Sequence, residues 1–290
     1  MKEREVLVAI PGFMPSDEDF IHIARLLSPR FEWINLGLPN SSDLAESITA
    51  SPTKRLEATE ANATDVNATD TLTLGNRAFE RRIRDWYQEI QPRLPKHFYL
   101  LGYSMGGRLA LALAKIIYEQ RPSQIRGLIL ESAHPGLADE EQKSIRRQAD
   151  NRWAQRFATE PLARVLADWY QQAVFSSLSE GEKGQLISMK IAHYGDTGRL
   201  ALSAQLYAFG LSQQADYSDF IVSGRLPVSY ISGALDAKFT AIATRLVERT
   251  KKSSARLCHL LALDAGHNIH FQNPQWMAES ILESIDFFKK

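Results

Sequence analysis

The chain has 290 residues, 44% of them hydrophobic and 23% charged, enough apolar material for one large core or two smaller ones. Its 34 Lys and Arg are balanced by 34 Asp and Glu, so overall charge gives no reason to expect nucleic acid or an anionic membrane as a partner. The single cysteine, Cys258, excludes an internal disulfide, and no run of 18 apolar residues announces a membrane span.

The charged start Met1–Glu5 runs straight into strand-like Val6–Ile10, leaving no apolar signal segment, and a reducing cytoplasm is the expected compartment. Pro11-Gly12-Phe13 reads as a loop, Asp17–Leu27 has helical spacing, and Phe31–Leu36 reads as a second strand. From about 40 to 75 the chain turns rich in Thr, Ala, Asn and Ser, which predicts a flexible insertion or a frayed helix. Arg77–Gln91 is amphipathic. The apolar run Phe98–Leu101 then leads into Gly102-Tyr103-Ser104-Met105-Gly106 and the Ala/Leu-rich stretch Arg108–Tyr118, that is, strand, sharp turn and helix. Ile125–Leu130 is the next strand. Residues 138–223 carry helical periodicity with no convincing strand. Alternation then resumes with Val228–Ser232, Ala241–Thr250, Leu257–Leu263 and Trp276–Phe288. Cys258 falls in the third of these and is expected to be a small core residue. Strands alternating with helices imply a parallel sheet. The expected organisation is an α/β core over 1–137 and 224–290, with 138–223 as a helical cap across the carboxyl edge of the sheet, where open α/β folds bind ligands.

A serine hydroxyl becomes reactive only when held beside a base, and flanking glycines let the backbone take the tight turn that presents it. The helix that follows aims backbone N–H groups at the same place. Ser104 is therefore the candidate nucleophile or base. Beyond the cap, Asp236 follows one strand and His267 the next, giving the order serine, acid, histidine, all at carboxyl ends of strands. Asp264 lies one strand too late to be the usual acid, His270 falls in the turn after His267, and His134 follows the strand after the elbow and lines the pocket. The oxyanion hole is expected from the N–H groups of Met105 and Phe13. Arg108, one helical turn past Ser104, and Arg146 with Arg147 in the first cap helix would suit a polycarboxylate, because guanidinium groups clamp carboxylates in pairs of hydrogen bonds.

Several segments together resemble one family. They are Gly102–Arg108, Ala133-His134-Pro135-Gly136-Leu137, Arg152–Phe157 with Glu160-Pro161-Leu162, Ala167–Gln172, Asp236–Phe239 and Ala265-Gly266-His267-Asn268. The family is the 2-succinyl-6-hydroxy-2,4-cyclohexadiene-1-carboxylate synthases of menaquinone biosynthesis, lyases with the α/β-hydrolase fold, and its enterobacterial branch is the most similar. The resemblance implies elimination of pyruvate from 2-succinyl-5-enolpyruvyl-6-hydroxy-3-cyclohexene-1-carboxylate, a small tricarboxylate. Ser104, backed by His267 and Asp236, would be the base, with no cofactor and no metal. By motif position Tyr103, Arg108, Arg146 and Trp169 would contact the substrate, and Lys190 stands where relatives carry a third arginine. The family's His-Gly in the first loop is Pro11-Gly12 here, and the segment near 40–75 is longer. The competing enzyme reading is a carboxylesterase or thioesterase with Ser104 as covalent nucleophile, which predicts an apolar acyl channel. A catalytically silent binding protein is disfavoured by the complete serine, acid and histidine set.

Overall fold

The computed structural model describes residues 4–40, 68–251 and 254–290. Among them six strands form one sheet in the order β2-β1-β3-β4-β5-β6, every neighbouring pair parallel. The strands are β1 (Glu5–Ile10), β2 (Phe31–Asn35), β3 (Phe98–Tyr103), β4 (Ile125–Glu131), β5 (Val228–Gly233) and β6 (Leu257–Ala262). The chain steps outward from β1 to β2, then returns to place β3 on the other side of β1. The loops after β1 and β3 therefore diverge at a switch point, the place where such sheets leave a crevice.

Alternation along the strands splits the core into two layers. Leu7 and Ala9 of β1 and Tyr99 and Leu101 of β3 face α1 (Ile21–Leu27) and the C-terminal helix, while Val8, Ile10, Phe98 and Leu100 face the other side. That second side is covered by α2 (Ala68–Ile90), through Phe79, Ile83, Trp86 and Tyr87, and by α3 (Ser104–Gln120), whose Leu109, Leu113 and Ile117 are fully buried. Each such side chain contributes about 1.5–3 kcal/mol through removal from water.

Between β4 and β5 the described residues contain helices and no strand: α4 (Glu140–Thr159), α5 (Leu162–Trp169), α6 (Glu180–Tyr194), α7 (Arg199–Phe209) and α8 (Ser218–Ile221). Asp139 caps α4 by accepting the Gln142 N–H, and Ser179 and Glu182 close a reciprocal capping box on α6. After β5 come α9 (Ala237–Thr250), β6, the short α10 (Ile269–Gln272) and α11 (Pro274–Lys289). No helix among the described residues is long and apolar enough to cross a membrane.

Two helix starts and the burial of one residue bear on the expectations from sequence. The helix expected from Asp17 starts only at Ile21, because Phe20 before it takes a left-handed φ of 65°. Of the stretch near 40–75, expected as a flexible insertion or a frayed helix, the part from Ala68 belongs to α2, whose start precedes the amphipathic run expected from Arg77, and residues 41–67 lie outside the described residues. Cys258 is half-buried rather than a core residue, because β6 is the open edge of the sheet.

Candidate active site

Since all six strands are parallel, their carboxyl ends share one edge, and the predicted site residues collect there. Ser104 occupies the turn from β3 into α3 with φ +49°, a left-handed conformation that costs a non-glycine residue on the order of 1 kcal/mol. Both flanking glycines are required by contact. A Cβ on Gly102 would lie 2.5 Å from the Gly107 Cα, and one on Gly106 would lie 2.1 Å from the Pro11 carbonyl oxygen. The second approach also seats the start of α3 against the loop that carries Phe13.

The loops after β5 and β6 are tied by backbone bonds from Ala234 to Ala262 and from Leu235 to Ala265. These hold Asp236 and His267 together. A carboxylate only accepts, so His267 Nδ1–H donates to Asp236 Oδ2 over 2.8 Å, which leaves Nε2 to accept from the Ser104 hydroxyl over 3.0 Å. The other Asp236 oxygen accepts the Phe239 N–H at 3.4 Å and caps α9. Asp236 and His267 are both buried, and the imidazole is enclosed by the rings of Phe239, Tyr103 and Phe175 at 4.8, 5.4 and 6.1 Å. The hydroxyl, imidazole and carboxylate thus form one hydrogen-bonded series with little room for the ring to turn.

Ser104 opens onto two cavities. The larger, about 540 Å³, is lined by Ser104, His267, Phe13, Met105, Arg108 and Arg146. The smaller, about 90 Å³, is lined by Ser104, Tyr103, Lys190, Asp19 and His270. Trp169 and Phe13 stand between them and line both, with ring centroids 5.1 Å apart, and Trp169 is braced from behind by Trp153 at 5.0 Å.

The larger cavity is cationic. Arg108 is buried, and its guanidinium donates to the Phe209 carbonyl at 2.7 Å and to Gln214 Oε1 at 3.1 Å, both uncharged acceptors. Burial, and behind it the like charge of Arg146, lowers its proton affinity to about 9, and it stays charged at neutral pH. Arg146 Nε bonds Asp150 at 2.9 Å, and Arg146 rather than Arg147 reaches the cavity. His134 also lines it. Burial, then the charges of Lys238, Arg108, Arg146 and Arg245, holds His134 down to about 3, and its Nδ1 accepts the Gly136 N–H at 3.1 Å. This is a neutral imidazole with its proton on Nε2.

Two expected substrate contacts lie on the other side of Ser104. The Tyr103 ring packs against His267 and, at 4.4 Å, edge-on against His270, with its phenol held well above the ordinary value by burial and then by the Glu131 carboxylate. Lys190 lines the small cavity, buried, with Nζ 3.0 Å from Asp19 Oδ1 and 3.1 Å from Ser16 Oγ. Its charge is already matched. The other candidates of the sequence are accounted for: His270 pairs with Glu131, and exposed Asp264 accepts from Asn273. Sequence reasoning passed over Lys238, Phe175, Asp19 and Glu131. Only Lys238 carried a local signal, standing two residues after the triad acid.

The alpha/beta hydrolase family profile matches residues 7–280. The 2-succinyl-6-hydroxy-2,4-cyclohexadiene-1-carboxylate synthase of Escherichia coli O1:K1 / APEC is 38% identical over 191 residues, 66% of this chain and 69% of that protein. The chain belongs to this synthase family. It is accordingly a lyase on an α/β-hydrolase fold. The synthase of the same name from Klebsiella pneumoniae subsp. pneumoniae is 41% identical over 177 residues, 61% of this chain and 64% of that protein. Among solved structures, MenH from S. aureus aligns with a TM-score of 0.68 at 22% identity, covering 99% of this chain and 96% of that one. A thermophilic esterase from Thermogutta terrifontis aligns at 0.62 and 16% identity, covering 99% and 91%. At these identities the structural likenesses establish the fold alone.

Proposed function

We propose that this protein eliminates pyruvate from 2-succinyl-5-enolpyruvyl-6-hydroxy-3-cyclohexene-1-carboxylate to give 2-succinyl-6-hydroxy-2,4-cyclohexadiene-1-carboxylate, in the cytoplasm and as a step of menaquinone biosynthesis. The supporting observation is a serine–histidine–aspartate series opening onto a cavity with Arg108 and Arg146 in its wall. The substrate carries three carboxylates, and a cationic wall beside the reactive hydroxyl suits it better than a neutral acyl chain.

The chemistry follows from the change of double bonds. A 3-ene becomes a 2,4-diene when a proton leaves ring carbon 2 and the enolpyruvyl oxygen leaves carbon 5. His267 takes the Ser104 proton, and the Ser104 oxygen takes the proton from carbon 2, which is acidic because it neighbours the succinyl ketone. Charge develops on the ketone oxygen. In this reading the N–H groups of Met105 and Phe13 receive it; Met105 lies at the start of α3 and Phe13 on the loop that Gly106 packs against. As the enolate collapses, the diene forms, the carbon 5–oxygen bond breaks, and pyruvate leaves as its enolate, which takes at carbon the proton given up by the His267 imidazolium. No water is consumed. Asp236 keeps the His267 proton on Nδ1 and stabilises the imidazolium while it exists. In this reading Tyr103 and Trp169 wall the reacting centre, and residues 138–223 serve as a cap on a core formed by 1–137 and 224–290.

The direct test follows pyruvate release from freshly made enolpyruvyl substrate by the wild type and by Ser104→Ala, alongside p-nitrophenyl esters. Rapid release that collapses in the variant is the expected result. Ester cleavage dependent on Ser104, without pyruvate release, would replace this reading with a carboxylesterase.

A further inference from the structure

We infer that Lys238, rather than Lys190, supplies the third cation of the serine cavity and binds one of the substrate's carboxylates; this rests on the tricarboxylate reading above. Lys238 lines the larger cavity with Arg108 and Arg146, whereas Lys190 lines the smaller one. The charges that each lysine meets differ in kind. Lys190 is held by Asp19 at 3.0 Å and its side chain is 5% exposed, so drawing it toward a ligand would strand a partly buried carboxylate. Lys238 has no carboxylate partner among the described residues. Its Nζ lies 5.4 Å from the Phe239 ring centroid, and that ring in turn lies 4.8 Å from the imidazole of His267. The ammonium is thus one aromatic ring away from the reacting hydroxyl's base.

The carboxylates nearest these cations already have partners. Asp236, in the cavity wall, accepts from His267, and Asp150, behind the wall, accepts from Arg146. What remains is Arg108, bonded only to neutral acceptors, with Arg146 and Lys238 close enough to oppose each other's charge. Partial loss of water around the ammonium, and then the like charge of Arg146, lowers its proton affinity, and the more distant Asp236 and Asp150 carboxylates oppose this without pairing with it. Such a cluster is unfavourable while the cavity holds no anion and is relieved when one enters. A ligand of three carboxylates would leave no cation uncovered. Lys238 stands at the exposed rim, where it can meet an incoming substrate and close over the carboxylate farthest from the ring.

The test measures KM and kcat for pyruvate release in the wild type, Lys238→Gln, Lys238→Arg and Lys289→Gln. Calorimetry with propane-1,2,3-tricarboxylate accompanies it as a non-reacting probe. Lys289 pairs with Glu5 at the opposite edge of the sheet and controls for loss of a distant charge. A rim-exposed ion pair is worth up to about 1 kcal/mol, so KM should rise about fivefold in Lys238→Gln, with kcat within twofold. Lys238→Arg should restore most of the difference, and Lys289→Gln should match the wild type. Probe affinity should fall by a similar factor in Lys238→Gln. Equal KM and equal probe affinity in the wild type and Lys238→Gln would overturn the assignment. A wild type that binds the probe through Lys238 but releases no pyruvate would sink the reaction reading and leave the cation assignment standing.

Discussion

Two histidine–carboxylate pairs sit on the same edge of the sheet. Asp236 follows β5 and receives the Nδ1 proton of His267 at 2.8 Å, and Glu131 ends β4 and stands 2.8 Å from Nδ1 of His270. Both acids are buried, and both imidazoles touch the ring of Tyr103. The pairs differ at the far nitrogen. His267 presents Nε2 to a hydroxyl held in a left-handed turn, whereas one oxygen of Glu131 also takes the His270 backbone N–H at 3.0 Å, which binds that pair into the start of α10. A carboxylate spent on the backbone fixes a chain segment, and one spent on a ring with a free second nitrogen supports proton transfer. The pairing alone is therefore no sign of catalysis.

This contrast can be broken by experiment. The largest effect should come from Ser104→Ala, with kcat for pyruvate release lower by 10³-fold or more and little loss of stability, measured in single-turnover assays. Next, Asp236→Asn should lower kcat by about 10²–10³-fold, because the amide no longer enforces the imidazole tautomer. Glu131→Gln should act differently. It leaves a buried amide facing the His270 donors, costs about 2 kcal/mol, and lowers Tm by several degrees, while kcat falls less than tenfold. If Glu131→Gln removed activity as thoroughly as Asp236→Asn, the distinction between the pairs would be lost.

The effect that is smallest at neutral pH is that of His134, which acts only as the solution turns acid. His134 is held neutral in the fold at about 3 against an ordinary value near 6.5. Between those limits the unfolded chain binds the extra proton, so this residue's contribution to stability is complete above about 6.5 and lost as pH falls toward 3. At pH 5 the loss is on the order of 2 kcal/mol. His134→Gln should therefore flatten the decline of Tm between pH 7 and 5, and equal slopes in the two proteins would show that His134 is accessible to protons in the fold.

The sheet edge and its triad were legible because each signal is local. Gly102 and Gly106 bracket Ser104, and Asp236 and His267 each follow an apolar run at the same offset from its end. The pairs that decide what each remaining charge does are not local. Lys190 meets Asp19 across 171 positions, and His270 meets Glu131 across 139. Nothing in either neighbourhood announces the other, so Lys190 read as free for substrate and His270 as a turn residue. The half-buried position of Cys258 follows from β6 being the last strand, a fact about sheet order that the run Leu257–Leu263 does not contain.

Ser104 has φ +49° on a turn whose flanking glycines admit no side chain. The residue best suited to that backbone is a glycine, so Ser104→Gly should raise Tm while abolishing turnover. A library of this gene screened for heat resistance alone would drift toward that change and fill with durable, inert proteins. Selection for thermal tolerance in this scaffold has to be coupled to product formation, since its defining residue also sits on a strained backbone.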